Sequence, residues 1–166
     1  FSPDGQTVYD ITFNKITSLY AYDLISGKEK WHYQTSPKQG SYNPLTVNPV
    51  TGDIYFGTQT AGHFYCVKPD GTLKWEYTGA GSMQSTSPAV SADGNIVFIL
   101  DKVGKCCAIN AADGSEKWTA SLAGAGASML INGNVLIAAI QNTAPSVYFL
   151  DVATGQEVAP QLSISN

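Results

Sequence analysis

The side chains that could do chemistry in this 166-residue sequence are two histidines, three cysteines and a thin scatter of carboxylates. His32 follows Trp31, and His63 stands alone near a loop. Neither is spaced from a Ser, Cys or carboxylate as a nucleophile motif requires. Cys66, Cys106 and Cys107 form an odd set without metal-ligand spacing. A disulfide between neighbours such as Cys106 and Cys107 would distort the peptide, so buried reduced thiols fit these residues best. The acidic residues sit singly in turns, with no Asp-x-Asp-x-Asp-Gly ladder of the calcium type. Gly79-x-Gly81 and Gly124-x-Gly126 resemble pieces of phosphate loops, but neither opens a helix. Catalysis and metal binding have little to stand on.

Charge narrows the partners. Only 13% of residues are charged, against roughly 25% in an average soluble domain. The formal net charge is −4, and all nine basic residues are lysines. That sign opposes a nucleic-acid backbone or an anionic membrane surface, and the bidentate grip of Arg on phosphate or carboxylate is missing. No apolar run approaches the ~18 residues of a membrane-spanning helix, so nucleic-acid binding and membrane insertion are not expected.

What must position these residues is a repeat. The segment Ala21-Tyr22-Asp23-Leu24-Ile25-Ser26-Gly27-Lys28-Glu29-Lys30-Trp31 recurs as Cys66 to Trp75 and as Ala108 to Trp118. A degraded copy runs from Phe149 to Ala159, and the turn glycines Gly27, Gly71, Gly114 and Gly155 are 44, 43 and 41 residues apart. Each period opens with a short apolar stretch and a turn. A strand follows (Thr7 to Phe13, Asp53 to Thr58, Asn95 to Leu100, Asn134 to Ile140), then a polar loop and a second strand. A Gly turn leads into the last strand: Glu29 to Gln34, Leu73 to Tyr77, Glu116 to Leu122, and weakly Glu157 to Ile164. The approximate units are 1–43, 44–87, 88–128 and 129–166. Middle strands such as Ile96 to Leu100 are apolar without alternation, as in a sheet covered on both faces. Last strands alternate, Trp75 and Tyr77 against Lys74 and Glu76. The predicted fold is all-β: four-stranded antiparallel blades of a β-propeller, about four of them; that they form part of a seven- or eight-bladed ring is what their resemblance to a known propeller superfamily implies.

The motif Ala21-x-Asp23-x-x-x-Gly27-x-x-x-Trp31, echoed by Ala108, Asn110, Gly114 and Trp118 and more loosely by Gly71 and Trp75, resembles the tryptophan-docking repeat of the quinoprotein (PQQ-type) β-propeller superfamily. The Ser87-Pro88-Ala89-Val90 entry before Asp93-Gly94 is similar to its inner strand. The resemblance implies that these docking residues are structural, the three indoles filling gaps between blades where turn glycines admit the ring. It is specific for fold rather than function. It also raises a quinone cofactor held beneath a vicinal disulfide, but Cys106-Cys107 aligns with mid-strand positions and no Arg is present to hold a tricarboxylate.

In an up-and-down meander the connectors between blades share one rim with the loops between second and third strands, and loops on a rigid scaffold are where binding lives. On that rim Tyr42, His63, Met83, Gln84, Lys15 and Lys102 are the candidates for contacting a partner. The expectation is a non-catalytic scaffold without a cofactor that binds a protein or glycan outside the cytoplasm, in the periplasm or at the cell surface. It would resemble the bacterial lipoprotein propellers of outer-membrane barrel assembly. The alternative is a fragment of a quinone-dependent sugar or alcohol dehydrogenase. A partial ring would expose two apolar blade faces, so self-association through the terminal blades is also expected.

Overall fold

The computed structural model describes residues 1–12, 16–35, 40, 44–59, 62–83, 86–141 and 146–163. Within them every regular element is a strand, arranged in four antiparallel sheets that follow chain order. The first sheet has three strands, β1 (Thr7–Ile11), β2 (Ser18–Asp23) and β3 (Glu29–Gln34). The second has four: β4 (Thr46–Val47), β5 (Ile54–Gly57), β6 (Phe64–Val67) and β7 (Leu73–Tyr77). The third contains β8 (Ala89–Val90), β9 (Ile96–Leu100), β10 (Lys105–Asn110) and β11 (Glu116–Ser121). The fourth contains β12 (Ala125–Asn132), β13 (Val135–Gln141), β14 (Ser146–Asp151) and β15 (Glu157–Ser163).

Two features depart from the sequence-based expectation. The first sheet has three strands among the described residues rather than four, since β1 occupies the place of β5 and no described strand pairs with its other edge. The segment Ala125 to Ser128, which the repeat leaves between the last strand of the third unit (Glu116 to Leu122) and the fourth unit at 129, is the start of β12 and pairs with β13 (Ala125↔Gln141, Gly126↔Ile140, Ser128↔Ala139). Its Ala-Gly-Ala-Ser composition has low strand propensity and hides a strand that tertiary pairing imposes. Gly126 is needed there because a Cβ would lie 2.4 Å from Leu100 Cγ in the preceding sheet.

The sheets stack face to face, and three apolar clusters fill the seams. Ile11 and Leu19 meet Ile54, Phe56, Tyr65 and Val67. Tyr55, Phe64, Cys66, Trp75 and Tyr77 meet Val97, Ile99, Cys107 and Ile109. Phe98, Leu100, Cys106 and Ala108 meet Leu136, Ala138, Ile140, Tyr148 and Leu150. Burial follows from this stacking. In the second sheet β5 and β6 are buried at every residue, whereas β13 and β14 of the fourth alternate buried with half-buried residues. An interior sheet thus loses the alternation that a sheet covered on one face keeps.

The outer strands lock the seams. Trp31 Nε1 donates to Pro69 O at 2.9 Å, Trp75 Nε1 to Ala111 O at 3.1 Å, and Trp118 Nε1 to Val152 O at 3.0 Å, each reaching the turn of the following sheet. The rings lie on Gly71, Gly114 and Gly155, where a Cβ would stand 2.7, 2.8 and 2.5 Å from an indole carbon. Across the ladder each tryptophan faces a small residue, Ala21, Cys66 or Ala108, and a bulge follows immediately. Such a bulge kinks the strand and re-aims its side chains. Lys74 reinforces the second seam, its Nζ donating to Asp53 of its own sheet (2.7 Å) and to Ala111 O (3.1 Å).

Gly114→Ala is expected to destabilise the chain well beyond Gly133→Ala in urea denaturation. Both glycines have positive φ (77° and 58°), but a Cβ at Gly133 meets nothing within 4 Å. Gly133→Ala should cost about 1 kcal/mol of backbone strain, and Gly114→Ala about 1–3 kcal/mol more, because the indole of Trp75 must move.

Candidate functional site

The rim formed by connectors and the loops between second and third strands of each sheet is where the expected binding residues were placed. Lys15, Tyr42 and Gln84 lie outside the described residues. His63, just before β6, is half-buried, with Nδ1 hydrogen-bonded to Glu76 of β7. Its ring stacks on Tyr65 at 6.2 Å. Tyr65 itself lies 6.3 Å from Tyr33 of the first sheet, so this His–Glu–Tyr group straddles the first seam. Burial, then the Glu76 carboxylate, pushes the Tyr33 and Tyr65 phenols above their ordinary range. With Nδ1 engaged, Nε2 is the ring nitrogen left to meet a partner. His32 is exposed on the first sheet, 2.8 Å from Glu29 and beside Tyr20.

Lys102 is exposed in the turn between β9 and β10, its backbone N–H bonded to Ser82 O at 2.9 Å. Met83 is not a surface residue. It is 1% exposed, in the core between the second and third sheets, where its Cε lies 1.7 Å from where a Gly57 Cβ would be. A glycine on the facing strand opens the space into which this flexible side chain folds. That demand is invisible in a connector read as Gly-Ser-Met-Gln.

The residue that organises the rim escaped notice in the sequence. Asp101, 1% exposed at the end of β9, accepts backbone N–H bonds from Gly81 (3.0 Å), Val103 (2.9 Å) and Lys105 (2.8 Å). One carboxylate therefore ties the connector from the second sheet to the β9–β10 turn. Its backbone carbonyl also accepts from Gly126 at 3.3 Å, joining the start of β12 in the next sheet. Lys105 adds a bond from Nζ to Gly79 O at 2.7 Å and approaches Glu116 at 3.9 Å, while Tyr77 Oη donates to the Glu116 carboxylate across the second seam. Thr58 occupies the position of Asp101 in the second sheet, accepting from His63 N at 3.2 Å, and the shared phase of the two was the signal available.

The quinone reading can be tested on the cysteine pair. Cys106 faces the third seam and Cys107 the second, on opposite sides of β10, and both are fully buried. Such a pair cannot form a lid over a ligand in a central channel, and this donor set does not fit the group. Among the described residues, no cluster of three or more His, Cys, Asp or Glu is placed to hold a metal ion. Burial pushes the Cys106 thiol up to about 12 and that of Cys107 up to about 11, and raises Cys66 as well.

Residues 68–158 match the PQQ-repeat family described as outer membrane protein assembly factor BamB. The outer membrane protein assembly factor BamB of Moranella endobia (strain PCIT) is 32% identical in an alignment 127 residues long, which covers 72% of this chain and 32% of that protein. The chain thus spans about a third of the length of that relative. Among solved structures, the hydrazine synthase of Kuenenia stuttgartiensis superposes with a TM-score of 0.80 at 16% identity, over 99% of this chain and 47% of that one. BamB from Moraxella catarrhalis gives 0.72 at 14% identity over 93% and 46%. A europium-containing methanol dehydrogenase gives 0.58 at 17% over 67% and 23%. At such identities these structures speak for the propeller fold alone.

Two outcomes follow from this geometry. Asp101→Ala should cost about 2–3 kcal/mol, since it orphans N–H groups of a part-buried loop, and should speed amide hydrogen exchange at Val103 and Lys105. The thiols should resist alkylation at pH 8 in the native chain and react once it is unfolded. Because the folded thiols keep their protons to higher pH than unfolded ones (about 8.5), unfolding releases protons above that pH. Stability should therefore fall from there to about pH 11, where Cys107 ionises in the fold. A Cys107→Ala variant should show a shallower fall.

The family match over residues 68–158 covers more than half of the chain and coincides with the stacked four-stranded sheets, so this chain belongs to the BamB-type family of PQQ-repeat propellers.

Proposed function

We propose that this chain is a non-catalytic propeller scaffold, without a cofactor, that binds a protein partner outside the cytoplasm in the assembly of outer-membrane proteins. The family's printed description supports the setting. The observation that carries the reading is how the rim spends its ionisable groups. His63 is held by Glu76, Asp101 by three backbone N–H groups, and Lys105 by Gly79 O and Glu116. These bonds stiffen loops; they do not set a base against a nucleophile. Among the described residues, the rim offers outward the exposed Lys102, one edge of His63 and the loop backbone, a surface for recognition by shape and hydrogen bonds.

The docking set belongs to the same proposal as structure. Ala21 and Ala108 make room for the facing tryptophan, and Asp23 and Asn110 hold their turns by accepting from Ser26 N (2.8 Å) and Ala112 N (3.1 Å). Trp31, Trp75 and Trp118 on Gly71, Gly114 and Gly155 set the spacing of the sheets and hence of the rim.

Titration calorimetry against the water-soluble segment of an outer-membrane assembly protein should show binding, weakened roughly tenfold by Lys102→Glu if that charge meets an acidic partner surface. Binding only to a glycan would replace the partner class. Substrate-dependent dye reduction after loading with the quinone and calcium would overturn the non-catalytic reading.

A further inference from the structure

The rim opposite the connectors carries the tight turns that open each repeat, and there the first seam is fastened differently from the second. In the second seam Asn48 Nδ2 donates to Tyr55 Oη (3.2 Å) and, across the seam, to Gly94 O (2.8 Å), while Lys74 Nζ crosses to Ala111 O. In the first seam Ser2 holds the place of Asn48, its N–H bonded to Thr7 O as that of Asn48 is to Asp53 O. The Ser2 hydroxyl does not cross; it is bound to Asp4 and to Thr7 N. Lys30, the counterpart of Lys74, stays on its own sheet at Thr7 Oγ1 (2.8 Å). Tyr9 holds the place of Tyr55, its ring 5.8 Å from Trp31 as that of Tyr55 is from Trp75. What remains between the two turns and Pro69 is an open cavity of about 300 Å³.

The polar groups around this cavity are sorted by kind. In the other three sheets the carbonyl at the place of Gly52 O accepts an N–H: Gln6 O from Leu24 (3.0 Å), Asn95 O from Ala111 and Asn134 O from Val152 (both 2.9 Å). In the second sheet the donor's place is taken by Pro69, which has no N–H. Among the described residues no donor reaches Gly52 O, Thr51 O or the Tyr9 hydroxyl. The nearby donors are spent. Val50 and Thr51 N–H go to Asn48 Oδ1, Gly52 N–H to Asn48 O, and the Thr51 hydroxyl to Asp53. Asp4 adds negative charge, its carboxyl held below the usual range by the Ser2 hydroxyl and then by Gln6 N–H. Pro3, Pro69 and Val50 supply apolar wall.

We propose that this cavity binds the guanidinium of an arginine side chain presented by a partner polypeptide, with the head on Asp4 and the unused carbonyls and the stem along the prolines. A guanidinium brings N–H donors, a charge and no acceptor, which is what such a wall asks for. A carboxamide would bring an oxygen that the spent donors cannot serve, and an ammonium lacks the planar fork. Asn48 shows that one planar nitrogen reaches both a tyrosine hydroxyl and a carbonyl across a seam. Lys30 is no rival for the site, since Thr7 and Asp23 hold its ammonium. These 166 residues contain no Arg and so do not supply the occupant. The site lies on the rim opposite the connectors and does not rest on the reading of the connector rim.

The test titrates the chain with N-acetyl-argininamide and follows amide shifts by NMR. Shifts confined to Asp4, Thr7, Tyr9 and residues 50–52 are expected, with affinity weakened about tenfold in Asp4→Asn. Ser2→Asn, which copies Asn48, should fill the cavity and abolish the shifts in a chain that still folds. Uniform shifts, no shifts, or binding indifferent to Asp4→Asn overturns the proposal. So does N-acetyl-glutaminamide or N-acetyl-lysinamide binding as tightly as the arginine probe, because the wall would then not be reading a guanidinium. None of these outcomes bears on partner binding at the connector rim.

Discussion

The stacking of an indole on a glycine of the neighbouring sheet is the interaction on which this structure depends. A four-stranded sheet with two apolar faces has no stable existence in water and needs a neighbour at a set distance and angle. Here the distance is set by a ring lying on a residue without Cβ, and the angle by an N–H aimed at a single carbonyl. The demands spread backward through the sequence. The residue across the ladder must be small, a bulge must re-aim the strand, and the turn must hold positive φ at its glycine. One contact accounts for the Ala-x-Asp/Asn, Gly and Trp positions together.

The rim inherits its geometry from those seams. Tyr33 and Tyr77, two residues beyond their tryptophans, point into the next seam, where burial drives both phenols above their ordinary range. They meet Tyr65 or Glu116 from the following sheet, and His63, Glu76 and Lys105 gather around them. Glu76, Lys105 and Glu116 are thus all spent on bonds of this rim, in a sequence that is only 13% charged. Low charge in such a fold means that ions are placed where loops need fastening. Asp101 is the clearest case, one buried carboxylate standing in for several backbone acceptors that irregular loops lack.

The two end sheets differ in a way that the interior ones do not. The first shows an outward face with Asp10, Tyr20 and Tyr22, and an empty glycine turn; the fourth shows Ile137, Phe149 and an exposed β15 without an indole. Head-to-tail stacking closes well only when opposite faces are complementary, and these are matched neither in charge nor in the ring that every other seam contains.

Most of the fold could be read in advance because the repeat is nearly periodic and its strands carry their own signals. Runs such as Ile54-Tyr55-Phe56 and Ile96 to Leu100 announce strands covered on both sides, and Gly27, Gly71, Gly114 and Gly155 mark turns that only a residue tolerant of positive φ fills comfortably. The opposite facing of Cys106 and Cys107 also follows from strand alternation alone. Tertiary structure decided the rest. Met83 looked like a loop residue and became core because Gly57, on the facing strand, left a hole for it. Ala125 to Ser128 looked like a connector and became strand because β13 offered an open edge. Asp101 looked like one more turn acid and became the tie of the rim because two loops distant in sequence bring their N–H groups to it. Local pattern determines which residues are extended and which turn; which side chain fills which gap depends on what another sheet places opposite, and no single stretch of sequence contains both sides.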